Sequence, residues 1–166
     1  MAIEKKTVKK SQVEMLELVM PNDTNILGNL AGGRLMHWID IAAALSASKH
    51  CNSVAVTLAV DNLIFHLPVK LGEVVRLKAS VNRAFKTSME VGVRVEIEDY
   101  ITGKVFHSNS AYLTFVAIDR YTQRAIPVAE IIPETEEEKR RYEQALQRRE
   151  QRIRSNHGII DTKPKE

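Results

Sequence analysis

One apolar, helix-favouring run, followed by a succession of strand patterns as far as Ile118, is the feature that most restricts how this chain folds. From about Arg34 to His50 the residues favour a helix, and the apolar ones cover more than one stripe, which predicts burial nearly all round. A Gly32-Gly33 pair opens the run. Val54 to Val60 is rich in β-branched residues and free of Gly and Pro, and Leu63 to Leu67 reads as its continuation. Val75, Leu77, Ala79 and Val81 then alternate with Arg76, Lys78, Ser80 and Asn82. Met89, Val91, Val93, Val95 and Ile97 alternate with Glu90, Gly92, Arg94, Glu96 and Glu98, the pattern of a half-buried antiparallel strand. Val105 to Ile118 makes a long last strand. A helix with no second helical layer has only the sheet to pack on, so the sheet must curl round it. The expectation is an α+β domain.

The flanks differ in composition. Residues 1–11 are polar and basic and predict a flexible N-terminal arm. Residues 12–20 alternate in part and predict a first strand, and Pro21-Asn22-Asp23-Thr24-Asn25 is turn chemistry. The folded domain is expected over 12–132 and a charged helix over 133–154. In that helix acids crowd the first turn and Lys and Arg dominate later, which complements the helix dipole. Residues 155–166 are expected to be a disordered tail.

The chain has 166 residues, enough for one domain, and a formal net charge of +3, too mild to argue for nucleic acid. No apolar run reaches the ~20 residues of a membrane span, and the first residues have no signal-peptide core. The single cysteine, Cys51, cannot form an internal disulfide. These features predict a cytoplasmic protein.

Asp40 is the only acid inside the apolar run. Burying a carboxylate costs several kcal/mol unless it is paired, so an acid in a core helix needs a reason. Gly32 and Gly33 let a ligand approach the backbone at the helix start, where the first N–H groups have no intrahelical partner. Such donors stabilise the oxyanion of an acyl transfer by roughly 2.7–4 kcal/mol each. Asp40 would serve as general base or nucleophile toward the same carbonyl. In an ideal helix, however, it lies about 10 Å along the axis from Gly33. A dimer answers that reach better than one chain.

The order Pro21-Asn22-Asp23-Thr24-Asn25, Gly28-Asn29, Gly32-Gly33 and Asp40 resembles the hotdog-fold acyl-CoA thioesterases, the bacterial acyl-CoA hydrolases and cytosolic long-chain acyl-CoA hydrolases. Val60-Asp61-Asn62-Leu63-Ile64-Phe65-His66-Leu67-Pro68-Val69 with Gly72-Glu73, and Lys86-Thr87-Ser88-Met89-Glu90-Val91, resemble two further blocks of that family. The resemblance implies a hotdog fold, with a long central helix wrapped by an antiparallel sheet and, here, a charged C-terminal helix added. It implies hydrolysis of fatty acyl-CoA to free acid and CoA. Asp40 would act with Asn25 of a partner subunit in a dimer, with a hexamer (a trimer of dimers) expected. CoA enters only as part of substrate and product, with no other cofactor, no metal and no nucleic-acid partner expected.

Arg83, Lys86 and Ser88 flank a strand turn and are candidates for the phosphates of CoA, which basic and hydroxyl groups recognise. His37 is a weak catalytic candidate beside Trp38. His50 and Cys51 are adjacent, without the spaced ligands of a zinc site, and His66 and His107 lie in strand patterns. A non-catalytic acyl-CoA sensor and an acyl-thioester dehydratase are the alternatives on the same fold. The dehydratase needs a His–acid pair that no histidine here is placed to form.

Overall fold

The computed structural model describes residues 4–61 and 63–157. Five strands form the main sheet: β2 (Val13–Leu18), β3 (Val54–Asp61), β4 (Val74–Ala84), β5 (Ser88–Asp99) and β6 (Lys104–Ile118). Their spatial order is β2-β4-β5-β6-β3, with every neighbouring pair antiparallel. Helix α1 (Gly32–Cys51) lies across one face, as the lack of a second helical layer required. Its buried side, Leu35, Trp38, Ile39, Ala42, Ala43 and Ala47, meets Met89, Val91, Val93, Val95 and Ile97 of β5 and Leu113 and Phe115 of β6 in one core. The sheet's other face carries the helix α2 (Glu136–His157).

Three expectations need correction. First, the described part of the N-terminal arm is not loose. Lys5–Thr7 form a short strand, β1, parallel to β7 (Glu130–Ile132), and Val8–Ser11 make a 3-10 turn with Val8 and Ser11 buried. Lys6 Nζ donates to the carbonyl of His50 at 2.8 Å, a carbonyl in the last turn of α1, where a cation also meets the negative end of the helix dipole. Ser46 Oγ donates to Ser11 O, and Ser11 Oγ accepts from Val81 N–H. These partners are distant in sequence, so local polarity misread the segment.

Second, residues 63–67 do not continue β3, which ends at Asp61. The chain leaves the sheet there and brings the Phe65 ring to 3.4 Å from where a Cβ on Gly32 would stand. Third, α1 is not covered all round. Met36 and Leu45 are 45% and 51% exposed on the face turned away from the sheet. They adjoin the edge strand β3, which leaves Val60 exposed on this helix-facing side, while its Val54 and Val56 are exposed on the sheet's opposite face. One side of the chain is therefore an apolar band ending in an unpaired strand edge, an arrangement that solitary proteins avoid.

Helix α2 starts on a capping box. Thr135 Oγ1 accepts from Glu138 N–H at 3.1 Å, and Glu138 Oε2 accepts from the N–H groups of Thr135 and Glu134. Two ion pairs fasten it to the sheet, a bidentate one from Arg148 and one in which a single Arg152 nitrogen, Nη1, is shared between two carboxylate oxygens. Arg148 reaches Glu90, which is nearly fully buried, and Arg152 reaches Asp61 with both contacts at 3.0 Å. The helix runs past the expected end at Arg154 to His157, and the rest of the expected tail, 158–166, lies outside the described residues. Among the described residues no helix is long and apolar enough to cross a membrane.

Candidate active site

Asp40 sits half-buried at the margin of the bare face of α1. Its Oδ1 accepts a hydrogen bond of 2.7 Å from Thr57 Oγ1 on β3. The strand makes that contact through a local irregularity. Between Thr57 and Ala59 the register against β6 slips, and such a bulge re-aims a side chain. Thr57 pairs with Phe115 and Phe115 with Met89, both fully buried core residues, so this row faces the helix.

The start of α1 is open. Its N-cap residue, Ala31, supplies no side-chain cap. Arg34 and Leu35 N–H both donate to Ala31 O, leaving Gly32 and Gly33 N–H as the forward-pointing orphans of the helix end. A Cβ on Gly33 would meet nothing within 4 Å, so neither packing inside the chain nor backbone conformation demands glycine there. The bare backbone is then explained by what approaches from outside.

Asn25 lies in the turn before the helix. Its Oδ1 accepts from Leu27 N–H at 2.9 Å and Asn29 N–H at 3.3 Å, closing a turn in which Gly28 takes φ +75°. The turn is fixed to the helix by Arg34 Nε on Asp23 Oδ1 at 3.0 Å and by Ala31 N–H on Asp23 O at 2.8 Å. Among the described residues no hydrogen bond joins Asn25 to Asp40, whose partner is Thr57. Beside Asn25, Ile26 and Leu27 are 101% and 77% exposed, an apolar tip that nothing among the described residues covers.

The three proposed CoA contacts do not converge on Asp40 within the chain. The Arg83 guanidinium donates to Tyr142 O, stacks on the Tyr142 ring at 4.0 Å and approaches Glu143, so it serves the seat of α2. Ser88 pairs with Val116, and Val116 with Val56, about 10 Å from β3 but on the sheet face opposite Asp40. Lys86 is exposed at the tip of the β4–β5 turn. His50 is buried, and its Nε2 is 2.8 Å from Ala129 O. Burial pushes its pKa below 6.5, so it is a neutral structural group. His107 Nε2 lies 3.2 Å from Ser110 Oγ.

The Thioesterase superfamily model matches residues 27–104. The chain is 41% identical over 143 residues to mouse acyl-coenzyme A thioesterase 11, spanning 86% of this chain but about a quarter of that protein's length. It is 38% identical over 151 residues to the acyl-CoA thioester hydrolase YkhA of Bacillus subtilis, spanning 90% of this chain and 87% of that one. It belongs to the acyl-CoA thioesterase family. A hexameric acyl-CoA thioesterase in its apo form superposes with a TM-score of 0.89 at 39% identity, covering 93% of this chain and 98% of that one. The acyl-CoA hydrolase of Staphylococcus aureus, solved with butyryl-CoA, CoA and CoA disulfide, superposes at 0.86 with 34% identity over 95% and 97% of the two chains. Three alanine variants of the S. aureus enzyme were also solved, at an Asn, an Asp and a Thr, fifteen and then seventeen residues apart. Asn25, Asp40 and Thr57 have the same types at the same separations.

Thr57 went unnoticed in the sequence because threonine is ordinary in a strand. Only its contact with Asp40 singles it out in this thioesterase.

Proposed function

We propose that this chain hydrolyses fatty acyl-CoA to free acid and CoA, with Asp40 as the catalytic carboxylate, Thr57 as its positioning residue and Asn25 contributed by a second copy. The observation that carries the reading is the Thr57–Asp40 bond of 2.7 Å on an apolar face left uncovered by its own chain. A carboxylate held by a neutral hydroxyl, with no cation paired to it among the described residues, keeps its lone pairs available for chemistry.

The steps follow from those groups. The thioester carbonyl docks on the N–H groups of Gly32 and Gly33 of the copy that supplies Asn25, since those of its own chain lie about 10 Å along the helix from Asp40, and these donors stabilise the oxyanion as it forms. Asp40 takes a proton from water as the water oxygen bonds to the carbonyl carbon, or attacks that carbon itself to give an anhydride that water then opens. Either way the C–S bond breaks, and the sulfur leaves as the CoA thiolate and is protonated. Asn25 Oδ1 is engaged by its own turn, so its amide N–H groups are the part it offers, as donors to the water or the carbonyl. The reaction needs no cofactor beyond the CoA of the substrate.

A second copy accounts for what one chain leaves bare. The edge of β3 and the exposed side of α1 form a self-complementary apolar surface, which suits a two-fold pair. The tip Ile26-Leu27 next to Asn25 is the natural element to insert beside the other copy's Asp40. A hexamer of three such pairs is the assembly we expect, in the cytoplasm, where the free Cys51 stays reduced.

The test is steady-state hydrolysis of an acyl-CoA panel from acetyl to palmitoyl, followed by thiol release, with Asp40→Asn beside the parent. Asn keeps the side-chain shape and its hydrogen bond to Thr57 but accepts no proton. We expect kcat to fall by about 10²–10⁴ with thermal stability unchanged. Turnover within twofold of the parent refutes the assignment. Tight acyl-CoA binding without any thiol release by the parent chain would make it a sensor instead.

A further inference from the structure

Two arginines one turn apart on α2, Arg148 and Arg152, bear on the strand that carries Thr57, and they do so from the sheet face away from Asp40. The register shows where. Past the irregularity in β3, Ala59 pairs with Thr114 and Thr114 with Glu90, while Asp61 pairs with Tyr112. Arg148 holds Glu90 through Nε at 3.0 Å and Nη2 at 2.7 Å, and its guanidinium stacks 3.7 Å from the centre of the Tyr112 ring. Arg152 Nη1 donates to both oxygens of Asp61 at 3.0 Å. Ala59 and Asp61, the two residues after the bulge that lie on this face, thus belong to rows that α2 grips.

That end of β3 needs holding. Among the described residues the strand pairs with β6 alone, its ladder slips between Thr57 and Ala59, and it ends at Asp61. A bulge leaves a residue without its ladder partner, and a slip of one residue would turn Thr57 away from the helix. Only Ala59, Val60 and Asp61 follow the bulge, so the strand end decides whether it stays where it is. The Arg152–Asp61 pair sits at that end. Its side chains are 18% and 21% exposed, so it is not a freely solvated surface pair. Seating α2 does not by itself call for this pair. Arg148 on Glu90, Arg83 on the Tyr142 ring and Arg149 at 4.5 Å from the Phe85 ring centre already fasten the helix.

We infer that Arg152 is a positioning residue for the hydrolysis: by pinning Asp61 it fixes the bulge in β3, and so the Thr57 hydroxyl that holds Asp40. The inference rests on the proposed roles of Asp40 and Thr57. Strand alternation puts Asp61 on the face opposite Thr57, so Arg152 acts through the backbone of β3 and not by touching the reacting groups. Because one nitrogen of Arg152 makes both bonds, the pair does not use the guanidinium fork, and a lysine ammonium could take its place.

The test is a double-mutant cycle on the full chain, read as thiol release from acyl-CoA: parent, Arg152→Ala, Thr57→Val and the two together. Arg152→Ala should lower kcat at least about fivefold and leave KM within about twofold of the parent, as displacement of a catalytic group without loss of substrate contacts requires. Arg152→Lys should stay within about twofold of the parent. The double variant should be no slower than Thr57→Val alone, because both changes act through one hydrogen bond. Asp61→Asn, which keeps the shape and removes the charge, carries the same expectations and serves if Arg152→Ala does not fold. Parental kcat in Arg152→Ala, a change confined to KM, losses that multiply in the double variant, or unfolding of both Arg152→Ala and Asp61→Asn overturns the inference. A slow Thr57→Val beside a fast Arg152→Ala leaves the proposed function standing and removes Arg152 alone. Parental turnover in Thr57→Val removes the positioning role of Thr57 and this inference with it.

Discussion

Replacing Thr57 by Val removes one hydroxyl and almost nothing else. Valine has the same shape, suits a strand, and leaves the bulge geometry intact. What disappears is the 2.7 Å bond to Asp40 Oδ1. In the single chain Thr57 is exposed, and an exposed hydrogen bond contributes only about 0.5–1.5 kcal/mol. Under a second copy the same bond is desolvated and made to a charged group, where about 1.5–3 kcal/mol is typical. The two cases separate in the rate. If the carboxylate is oriented by Thr57 inside a covered site, Thr57→Val lowers kcat by roughly 10–100-fold. KM should stay near the parent value, because no atom in contact with the acyl chain has changed. Thr57→Ser, which keeps Oγ, should remain within about threefold. The assay is thiol release at saturating acyl-CoA, with urea unfolding alongside to confirm that stability shifts by less than about 1 kcal/mol. A Val variant within twofold of the parent would show that Asp40 needs no orienting partner, and the positioning argument fails.

Two further outcomes follow from other parts of the chain. Gly33→Ala places a methyl group in open space at the helix start, so stability should rise by up to about 1 kcal/mol from helix propensity while hydrolysis drops at least about tenfold, because the methyl occupies the approach to the orphan N–H groups. An Ala variant that is both more stable and fully active would remove Gly33 from the site. His50, neutral in the fold because burial lowers its pKa, binds a proton in the unfolded chain at pH values where the folded chain does not. Its contribution is therefore whole above 6.5 and lost as pH falls from there through the depressed folded value. Urea unfolding at about pH 7.5 and 5.5 should show this loss, and His50→Gln should flatten it.

Much of the fold was legible because its signals are local. The sequences of β4 and β5 alternate over most of their length, and α1 is a long apolar run with a glycine pair at its start and Asn52, in the left-handed region with φ 52°, after it. The misreadings were all long-range. Lys6 and Ser11 look like solvated polar residues until they meet His50 and Val81, which no local pattern contains. Leu63–Leu67 has strand composition, yet the chain turns off at Asp61, where Arg152 holds it from α2. Arg83 looked like a phosphate contact and is instead held by Tyr142. Of the candidate site, Asp40 stood out because an acid in an apolar helix is costly. Thr57 stayed hidden because its chemistry is contributed by geometry alone.

The central claim is a site shared between two copies, Asp40 from one and Asn25 from the other. Mixing Asp40→Ala with Asn25→Ala, unfolding and refolding them together, and measuring acyl-CoA hydrolysis tests it most directly. Each variant alone should be nearly inactive. Random pairing leaves one intact site in each mixed pair, so the refolded mixture should recover about a quarter of the parent activity. A mixture no more active than its parts would contradict a shared site, because Asn25 and Asp40 would then have to act within one chain.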